Sequence, residues 1–153
     1  TKIISDGGIK YSGDLAKAIA AGADAVMIGS LFSGTLESPG KIFKKNGKLF
    51  KNFRGMGSVG AMSVGSSDRY YQKKFKDISK YVPEGVEGIV KFKGSVGKII
   101  YNLIGGLKSS MGYLGAKNIY ELHAKGEFVK ITKAGFYESM VHNVDQIKKN
   151  GTK

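Results

Sequence analysis

The first 28 residues of the chain alternate between short apolar segments and a helical pattern, and this alternation limits the fold more than any other feature. Residues 2–5 are apolar and β-branched and lead into a glycine pair, and residues 25–28 are a second short apolar segment that ends in small residues. Between them, residues 12–21 place Leu15 and Ile19 on one face of a helix. Two short strands joined by a helix predict a βαβ unit with buried, parallel strands.

Both predicted strands end in residues that suit a phosphorylated ligand. Asp6 and Gly8 follow the first strand, and Gly29 and Ser30 follow the second. Ligands of parallel α/β folds bind at the carboxyl ends of the strands. Asp6 can accept hydrogen bonds from sugar hydroxyls, and the amides of a short helical segment beginning at Ser30 favour an anion. The alternative is that both are ordinary glycine-rich turns of a βα unit.

A long segment, residues 41–90, has turn chemistry and few apolar runs. A loop of this length inside a compact domain is usually a lid, a binding loop or a disordered segment. The segment contains Arg54 and Arg69, the only two arginines among 25 Lys and Arg residues. Because a planar guanidinium makes contacts that an ammonium cannot, the arginines favour a lid or binding loop, mobile above all over residues 73–80. The alternative is two surface arginines paired with carboxylates.

Local signals predict the remaining elements. They are a hairpin turn at Asn46-Gly47, short helices over 60–63 and 118–125, a helix over 96–107 that two glycines weaken at its end, a loop over 111–115, an extended piece over 128–131, and a charged terminus over 148–153 that should fray. The chain thus divides into residues 1–40, 41–90 and 91–153.

Composition excludes several classes of function. The chain has 153 residues and no cysteine, which excludes disulfides, thiolate metal sites and a cysteine nucleophile within it. It has no apolar run of about 18 residues, so no membrane span is expected, and its start resembles a strand rather than a signal peptide. The net charge of +13 comes from scattered lysines. Nucleic-acid binding is therefore not expected, because no basic face with interleaved aromatic residues is apparent.

Six motifs cover nearly the whole chain. They are Asp6-Gly7-Gly8-Ile9, Met27-Ile28-Gly29-Ser30, Arg54-Gly55-Met56-Gly57-Ser58, Ser67-Asp68-Arg69-Tyr70, Pro83-Glu84-Gly85-Val86-Glu87-Gly88, and Gly106-Leu107 through Met111-Gly112-Tyr113. In this order and spacing they resemble inosine-5′-monophosphate (IMP) dehydrogenase. The related guanosine-monophosphate (GMP) reductase shares the first two motifs but lacks the Arg-Tyr pair, so the chain resembles it less.

The resemblance implies an α/β fold, the C-terminal portion of a (β/α)₈ TIM barrel with a long inserted flap. Residues 1–40 would hold the last two barrel strands and the phosphate site, residues 41–90 the mobile flap, and residues 91–153 the final helices and tail. The first six barrel units and the family's catalytic cysteine are not in this chain. By resemblance, the chain alone is inactive and needs the N-terminal part of the same barrel, in a cytoplasmic homotetramer of GMP biosynthesis.

The resemblance also implies an NAD-dependent oxidation of IMP to xanthosine monophosphate. In the family a cysteine attacks the purine C2, hydride passes to NAD⁺, and the flap then replaces the nicotinamide so that water can hydrolyse the covalent intermediate. Arg69 would activate this water with Tyr70 beside it. Since arginine is normally locked as a cation, the alternative is that Arg69 orients the water and stabilises developing negative charge.

Further site residues follow from the same resemblance. Asp6 would hold the ribose; Gly8, Gly29, Ser30 and Gly55 the phosphate; Met56, Gly57 and Glu84 the purine base; and the backbone carbonyls of Glu138, Ser139 and Met140 a potassium ion in a neighbouring subunit. Phe53 stands where the family usually has a tyrosine that reaches the phosphate, so one hydrogen bond is lost. Met140 stands where bacterial members commonly have histidine, a change that leaves the carbonyls in place. The other functions considered are a GMP reductase-like enzyme and a non-enzymatic module that binds phosphate or nucleic acid.

Overall fold

The computed structural model describes residues 1–140, which form a parallel pair of strands, an antiparallel sheet and a set of helices. The strands are β1 (Ile4–Asp6), β2 (Ala25–Met27), β3 (Ile42–Lys45), β4 (Lys48–Arg54) and β5 (Glu87–Lys91), and the helices are α1 (Ser12–Ala20), α2 (Val59–Ala61), α3 (Val96–Tyr113), α4 (Ile119–Lys125) and α5 (Lys133–Glu138). The charged run over residues 148–153, predicted to fray, lies outside the described residues. Among the helices described, none has the length and apolar character to cross a membrane.

The predicted βαβ unit is confirmed. β1 and β2 pair in parallel, with Ser5 opposite Val26. At the start of α1, the Asp14 carboxylate accepts a hydrogen bond from the Tyr11 amide at 2.9 Å, which satisfies a donor that no helical carbonyl can reach. The apolar face of α1 is buried through Leu15 and Ile19, as its spacing predicts.

The prediction that these strands are buried is wrong for this chain. Ile3 and Ile4 are 57% and 58% exposed. β1 and β2 form a two-stranded sheet, so within residues 1–140 no further strand lies beside them. The described chain is therefore an open α/β unit and not a closed barrel.

The core lies among α1, α3 and α4, where Leu15, Ile19, Leu103 and Leu122 pack together. The predicted end of α3 near residue 107 is wrong, because the helix runs for 18 residues to Tyr113. The loop predicted over 111–115 is wrong for residues 111–113, which are helical, whereas residues 114–115 form a turn. Gly106 serves packing: a Cβ there would collide with Ser12 of α1. The two helices therefore cross closely at this point.

An antiparallel sheet of strand order β3-β4-β5 follows the βαβ unit. The predicted hairpin turn is confirmed, since Asn46 and Gly47 have φ of 49° and 74°, as a type I′ turn requires. The prediction of a loop over the whole of residues 41–90 is wrong at both ends of that range, which form strands. One of these strands, β5, pairs with β4 and had no clear local signal in the sequence. The part without strands is residues 55–86, and the predicted mobility of residues 73–80 stays a prediction.

Short helical turns fill the strand-free part. The helix predicted over residues 60–63 appears as α2 and continues into a π-helical turn, Met62–Ser66, and a 3₁₀ turn, Ser67–Tyr70. Beyond them, the Gln72 side-chain amide donates to the Val82 carbonyl at 2.8 Å and accepts from the Val82 amide at 3.0 Å. This pair of bonds closes a loop over residues 72–82.

The C-terminal helices are short. The predicted helix over residues 118–125 is confirmed as α4, and the Asn118 side chain caps it by accepting from the Glu121 amide at 2.8 Å. Residues 128–131 form no strand in the described chain. α5 follows, capped by the Thr132 hydroxyl, which accepts from the Gly135 amide at 3.0 Å.

Candidate functional site

The two parallel strands end side by side, as expected for a ligand site. Asp6, the last residue of β1, pairs with Met27 of β2. The helical segment predicted after β2 is a single turn, closed by the amides of Phe32 and Ser33, which donate to the Gly29 carbonyl at 3.1 and 3.0 Å. The Ser30 amide has no backbone acceptor within the described residues. Amides at the start of such a turn can bind an anion.

A second cluster brings together two motifs that are distant in sequence. The Gly57 carbonyl accepts hydrogen bonds from the amides of Glu84 and Gly85 at 2.9 and 3.0 Å, and the Gly55 amide donates to the Val86 carbonyl at 2.9 Å. Residues 55–57 and 84–86 thus run alongside each other. The predicted base-binding residues Met56, Gly57 and Glu84 belong to one backbone arrangement, which we name the turn cluster (residues 55–57, 66–70 and 84–86).

The Arg-Tyr turn contacts the same cluster. A Cβ at Gly57 would stand 2.9 Å from the Tyr70 ring, a distance that real Cβ atoms essentially never show, so any larger residue would force the ring or the backbone to shift. The buried Ser66 hydroxyl donates to the Met56 carbonyl at 2.6 Å. These contacts hold Arg69 and Tyr70 next to Met56 and Gly57.

Two cavities connect these parts of the site. One, of about 480 Å³, is lined by Arg54, Met56 and Arg69 among other residues. The other, of about 1100 Å³, is lined by Gly29, Arg54 and Met56 among others. Arg54 and Met56 line both, so the two cavities adjoin along this segment and make up one region. The turn over residues 29–33, which we name the phosphate turn after its predicted ligand, borders the larger cavity, and Arg69 borders the smaller one.

Some predicted site residues lie outside this region. Asp6, Gly8 and Ser30 line neither cavity, although Asp6 stands at the same end of the sheet as Gly29. Gly55 and Glu84 take part through their backbone in the turn cluster. Glu138, Ser139 and Met140 lie at the end of α5 and line neither cavity.

Two charged residues next to the site were missed by sequence reasoning. The Glu87 carboxylate accepts from the Gly60 amide at 2.8 Å and lies 3.8 Å from Arg54 Nε. The alternative of an arginine paired with a carboxylate thus holds for Arg54, whereas no ion pair of Arg69 occurs within residues 1–140. In the sequence, Glu87 belongs to the Pro83–Gly88 motif, but the motif did not indicate a role for it.

Lys93 is the second missed residue. Its ammonium donates to the carbonyls of Ser30 and Leu31 at 2.7 and 3.1 Å, and partial burial lowers the pKa of Lys93. It supports the phosphate turn from the carbonyl side. One lysine among many scattered ones carried no signal in the sequence.

A potassium site built from carbonyls needs no cluster of acidic side chains. In the part of the chain that the structure describes, no group of three His, Cys, Asp or Glu residues is placed to hold a metal. The C-terminal end of α5, where Glu138 and Ser139 lie, is the negative end of a helix dipole. Potassium binding by the carbonyls of Glu138, Ser139 and Met140 stays a prediction.

Comparison with known proteins decides the family. A family model described as the IMP dehydrogenase / GMP reductase domain matches residues 1–142. The chain belongs to this family. Inosine-5′-monophosphate dehydrogenase of Chlorobaculum parvum is 60% identical over 146 residues, and that of Helicobacter pylori is 58% identical over 146 residues.

The IMP dehydrogenase / GMP reductase family also includes a solved structure of similar fold. GMP reductase from Trypanosoma brucei, in complex with guanosine 5′-monophosphate, is 45% identical with a TM-score of 0.78, and the match covers 94% of this chain and 28% of that one. The matches to the two dehydrogenases cover 94% and 95% of this chain but 30% of each relative. The chain thus spans about 30% of the length of these family members.

Proposed function

We propose that this chain is the C-terminal portion of a TIM-barrel IMP dehydrogenase, an NAD-dependent enzyme that oxidises IMP to xanthosine monophosphate in guanine nucleotide synthesis. The observation that carries the proposal is the position of the Arg69-Tyr70 turn, which packs on Gly57 in the segment expected to bind the base. The 60% identity to a dehydrogenase over nearly the whole chain supports it. The catalytic cysteine belongs to a part of the barrel outside this chain.

The nucleotide would lie across the two ends of the parallel strands and the turn cluster. Asp6 would accept hydrogen bonds from the ribose hydroxyls, and the backbone of Gly8, Gly29, Ser30 and Gly55 would bind the phosphate. Met56, Gly57 and Glu84 would hold the base. The cavity shared by Gly29 and Met56 supports one ligand that contacts both segments.

Arg69 acts in the hydrolytic step in this proposal. Arg69 lines the smaller cavity together with Met56, where its guanidinium would orient a water molecule toward the base and either accept its proton or stabilise the developing negative charge. Tyr70, held on Gly57, would fix the turn. NAD, when bound, supplies the hydride acceptor, and the exposed guanidinium groups of Arg54 and Arg69 along this cavity suit a cofactor that carries phosphate charge.

Three further properties belong to the proposal. Potassium would bind the backbone carbonyls of Glu138, Ser139 and Met140 together with a neighbouring subunit, the enzyme would be a homotetramer, and it would act in the cytoplasm. The exposed apolar residues Ile3 and Ile4 support contact with the N-terminal part of the same barrel, because large unpaired apolar surface is costly in water.

GMP reductase activity is the second candidate, and the 45% identity to a GMP reductase structure favours it. By resemblance, the dehydrogenase uses the Arg-Tyr turn in a hydrolytic step, whereas the reductase lacks this turn. The position of Arg69 and Tyr70 in the turn cluster therefore favours the dehydrogenase.

The test uses the full-length protein that contains this segment. With IMP and NAD⁺ in potassium buffer, we expect NADH absorbance to rise and xanthosine monophosphate to appear by chromatography. A parallel reaction with GMP and NADPH should release no ammonia. Ammonia release without NADH formation from IMP would show the reductase instead, and inactivity in both reactions with tight phosphate binding would show a non-enzymatic module.

A further inference from the structure

Lys51, on the central strand of the antiparallel sheet, has a buried ammonium group that binds backbone carbonyls. Its side chain is 2% exposed. Nζ donates to the carbonyls of Thr35 at 2.7 Å and Leu36 at 3.3 Å, and also to the carbonyl of Ser38. Since a lysine ammonium has three donors, all of them are used. No ion pair joins it to a carboxylate among the described residues.

A buried lysine is rare because removal of its charge from water is costly. A leucine or methionine at this position would fill a sheet interior at lower cost. Unlike either apolar side chain, the ammonium donates hydrogen bonds to three carbonyls of one short segment, residues 35–38, at the same time. The arrangement therefore serves the position of that segment, which we name the strap.

The strap continues directly from the phosphate turn. Its first residue, Thr35, is 1% exposed, and its hydroxyl donates to the Phe32 carbonyl inside the turn at 2.8 Å. Two residues beyond the strap, the backbone approaches β4 so closely that a Cβ at Gly40 would stand 2.5 Å from the Asn52 carbonyl oxygen. A shift of the strap would therefore shift the turn that carries Gly29 and Ser30.

On the other side, Lys51 lies three residues before Arg54 on β4, and β4 leads into Gly55 and Met56. Gly29, Arg54 and Met56 line the same cavity of about 1100 Å³. The Lys51 ammonium thus ties β4, which leads into the proposed base-binding segment, to the strap, and through the strap to the phosphate turn.

We propose that Lys51 is a positioning residue for mononucleotide binding, holding the phosphate turn at a fixed separation from Arg54–Met56. The proposal rests on the proposed function, since it takes IMP as the ligand. Loss of the Lys51 hydrogen bonds should weaken binding of the phosphate and leave binding of the nucleoside part nearly unchanged. A purely structural lysine would affect both equally.

The experiment compares Lys51→Met with Lys48→Met in the full-length protein. Lys48 is an exposed lysine on the same strand, so the control removes one charge from β4 without breaking the tie. Dissociation constants for IMP and for inosine, which lacks the phosphate, are measured by calorimetry and NMR titration. We expect the constant for IMP to rise about tenfold in Lys51→Met and that for inosine to change less than about twofold.

Chemical rescue adds a readout that a packing defect would not produce. In Lys51→Ala, propylammonium can fill the vacated space and donate to the three carbonyls, whereas tetramethylammonium at equal ionic strength has no N–H donor. We expect propylammonium alone to restore IMP affinity. Lys51→Arg should fail to restore it, because a planar guanidinium fork differs in shape from an ammonium. If Lys51→Met does not fold, Lys51→Ala purified in propylammonium serves in its place.

Each result has a defined meaning. Equal IMP affinity in Lys51→Met and Lys48→Met, an equal loss for IMP and inosine, or equal rescue by both amines would overturn the positioning role. Failure of the unaltered protein to bind IMP would instead overturn the proposed function on which this role rests.

Discussion

The ends of the parallel strands and the turn cluster are two halves of one proposed site, and they differ in how closely their residues are packed. At the strand ends, a Cβ on Gly7, Gly8 or Gly29 would meet nothing within 4 Å. In the turn cluster, a Cβ on Gly57 would meet the Tyr70 ring at 2.9 Å, and one on Gly85 would meet Gly57 at 3.0 Å. The strand ends are open, whereas the turn cluster is already packed.

This difference indicates what each half is for. An open, glycine-rich edge leaves room for a ligand and for neighbouring parts of a larger protein, so mutations there should change binding. A packed cluster fixes side chains that act on the ligand, so mutations there should change the chemical step and the stability. The predictions below test this division, starting with the largest expected effect.

The largest effect is expected at Arg69. Arg69→Ala in the full-length enzyme should lower steady turnover by about 10²–10⁴-fold, the range typical of general-base assistance. Arg69→Lys should recover little, because lysine keeps the charge but not the planar fork. Turnover is followed by steady NADH formation. Full recovery by lysine would show that charge alone matters.

Asp6→Ala should act on binding instead. Loss of a charged hydrogen-bond acceptor costs about 1.5–3 kcal/mol, so the dissociation constant for IMP should rise roughly tenfold to 150-fold. Asp6→Asn, which keeps one oxygen acceptor, should lose less. Calorimetric titration measures both constants. Unchanged affinity together with unchanged turnover would remove Asp6 from the site.

Gly57→Ala tests the packed half. The added methyl group would press on the Tyr70 ring, and overpacking of this kind costs about 1–3 kcal/mol. Gly13→Ala is the matched control, because Gly13 lies in α1 with open space around it; there alanine should stabilise by about 0.5–1 kcal/mol. Thermal unfolding of the two variants should therefore shift in opposite directions. If Gly57→Ala were as stable as the unaltered protein or more stable, Tyr70 would not be packed on Gly57.

Gln72→Ala should have a moderate effect. It removes both hydrogen bonds to Val82 and so opens the base of the loop over residues 72–82. We expect steady turnover to fall roughly three- to tenfold, since neutral hydrogen bonds contribute about 1 kcal/mol each. Hydrogen exchange at the Val82 amide should accelerate. Tyr71→Phe, at a fully exposed neighbour, should leave both unchanged; an equal effect of this control would exclude a specific role for the Gln72 contact.

Glu37→Gln should have the smallest effect, visible in its pH dependence. The Val96 amide and the Ser95 hydroxyl hold the pKa of Glu37 below its usual range, with a smaller contribution from Lys51. A lowered pKa in the folded state gives stability that is present above the unfolded pKa and is lost as pH falls through the folded pKa. The melting temperatures of wild type and Glu37→Gln should thus differ at neutral pH and converge in acid.

Features set by neighbouring residues could be predicted from the sequence. The Asn46-Gly47 turn and the helix over residues 118–125 each depend on nearby residues, and both occur where the sequence predicts them. Features set by contacts between distant segments could not be predicted in this way. β5 exists because it pairs with β4, and the close contact of Gly106 in α3 with Ser12 in α1 joins residues far apart in the sequence.

The same distinction between local features and contacts of distant segments holds for the candidate site. The glycine turns after β1 and β2 are local, and their positions followed from the strand pattern. The contact of Tyr70 with Gly57 and the tie between Lys51 and the strap join residues that no local pattern relates. The resemblance supplied the roles of Arg69 and Tyr70, whereas Lys51, Glu87 and Lys93 became visible only through their partners in the fold.

In the proposed mechanism the nucleotide lies across the strand ends and the turn cluster, while Arg69 acts only on hydrolysis. The most direct test of this mechanism is the first turnover of Arg69→Ala, measured by stopped-flow NADH absorbance with mass spectrometry of the quenched protein. The account predicts a near-normal burst of NADH followed by almost no turnover, with the nucleotide accumulating as a covalent adduct on the enzyme's cysteine. Loss of the burst itself would contradict the account, because it would place Arg69 in nucleotide binding or in the structure of the site.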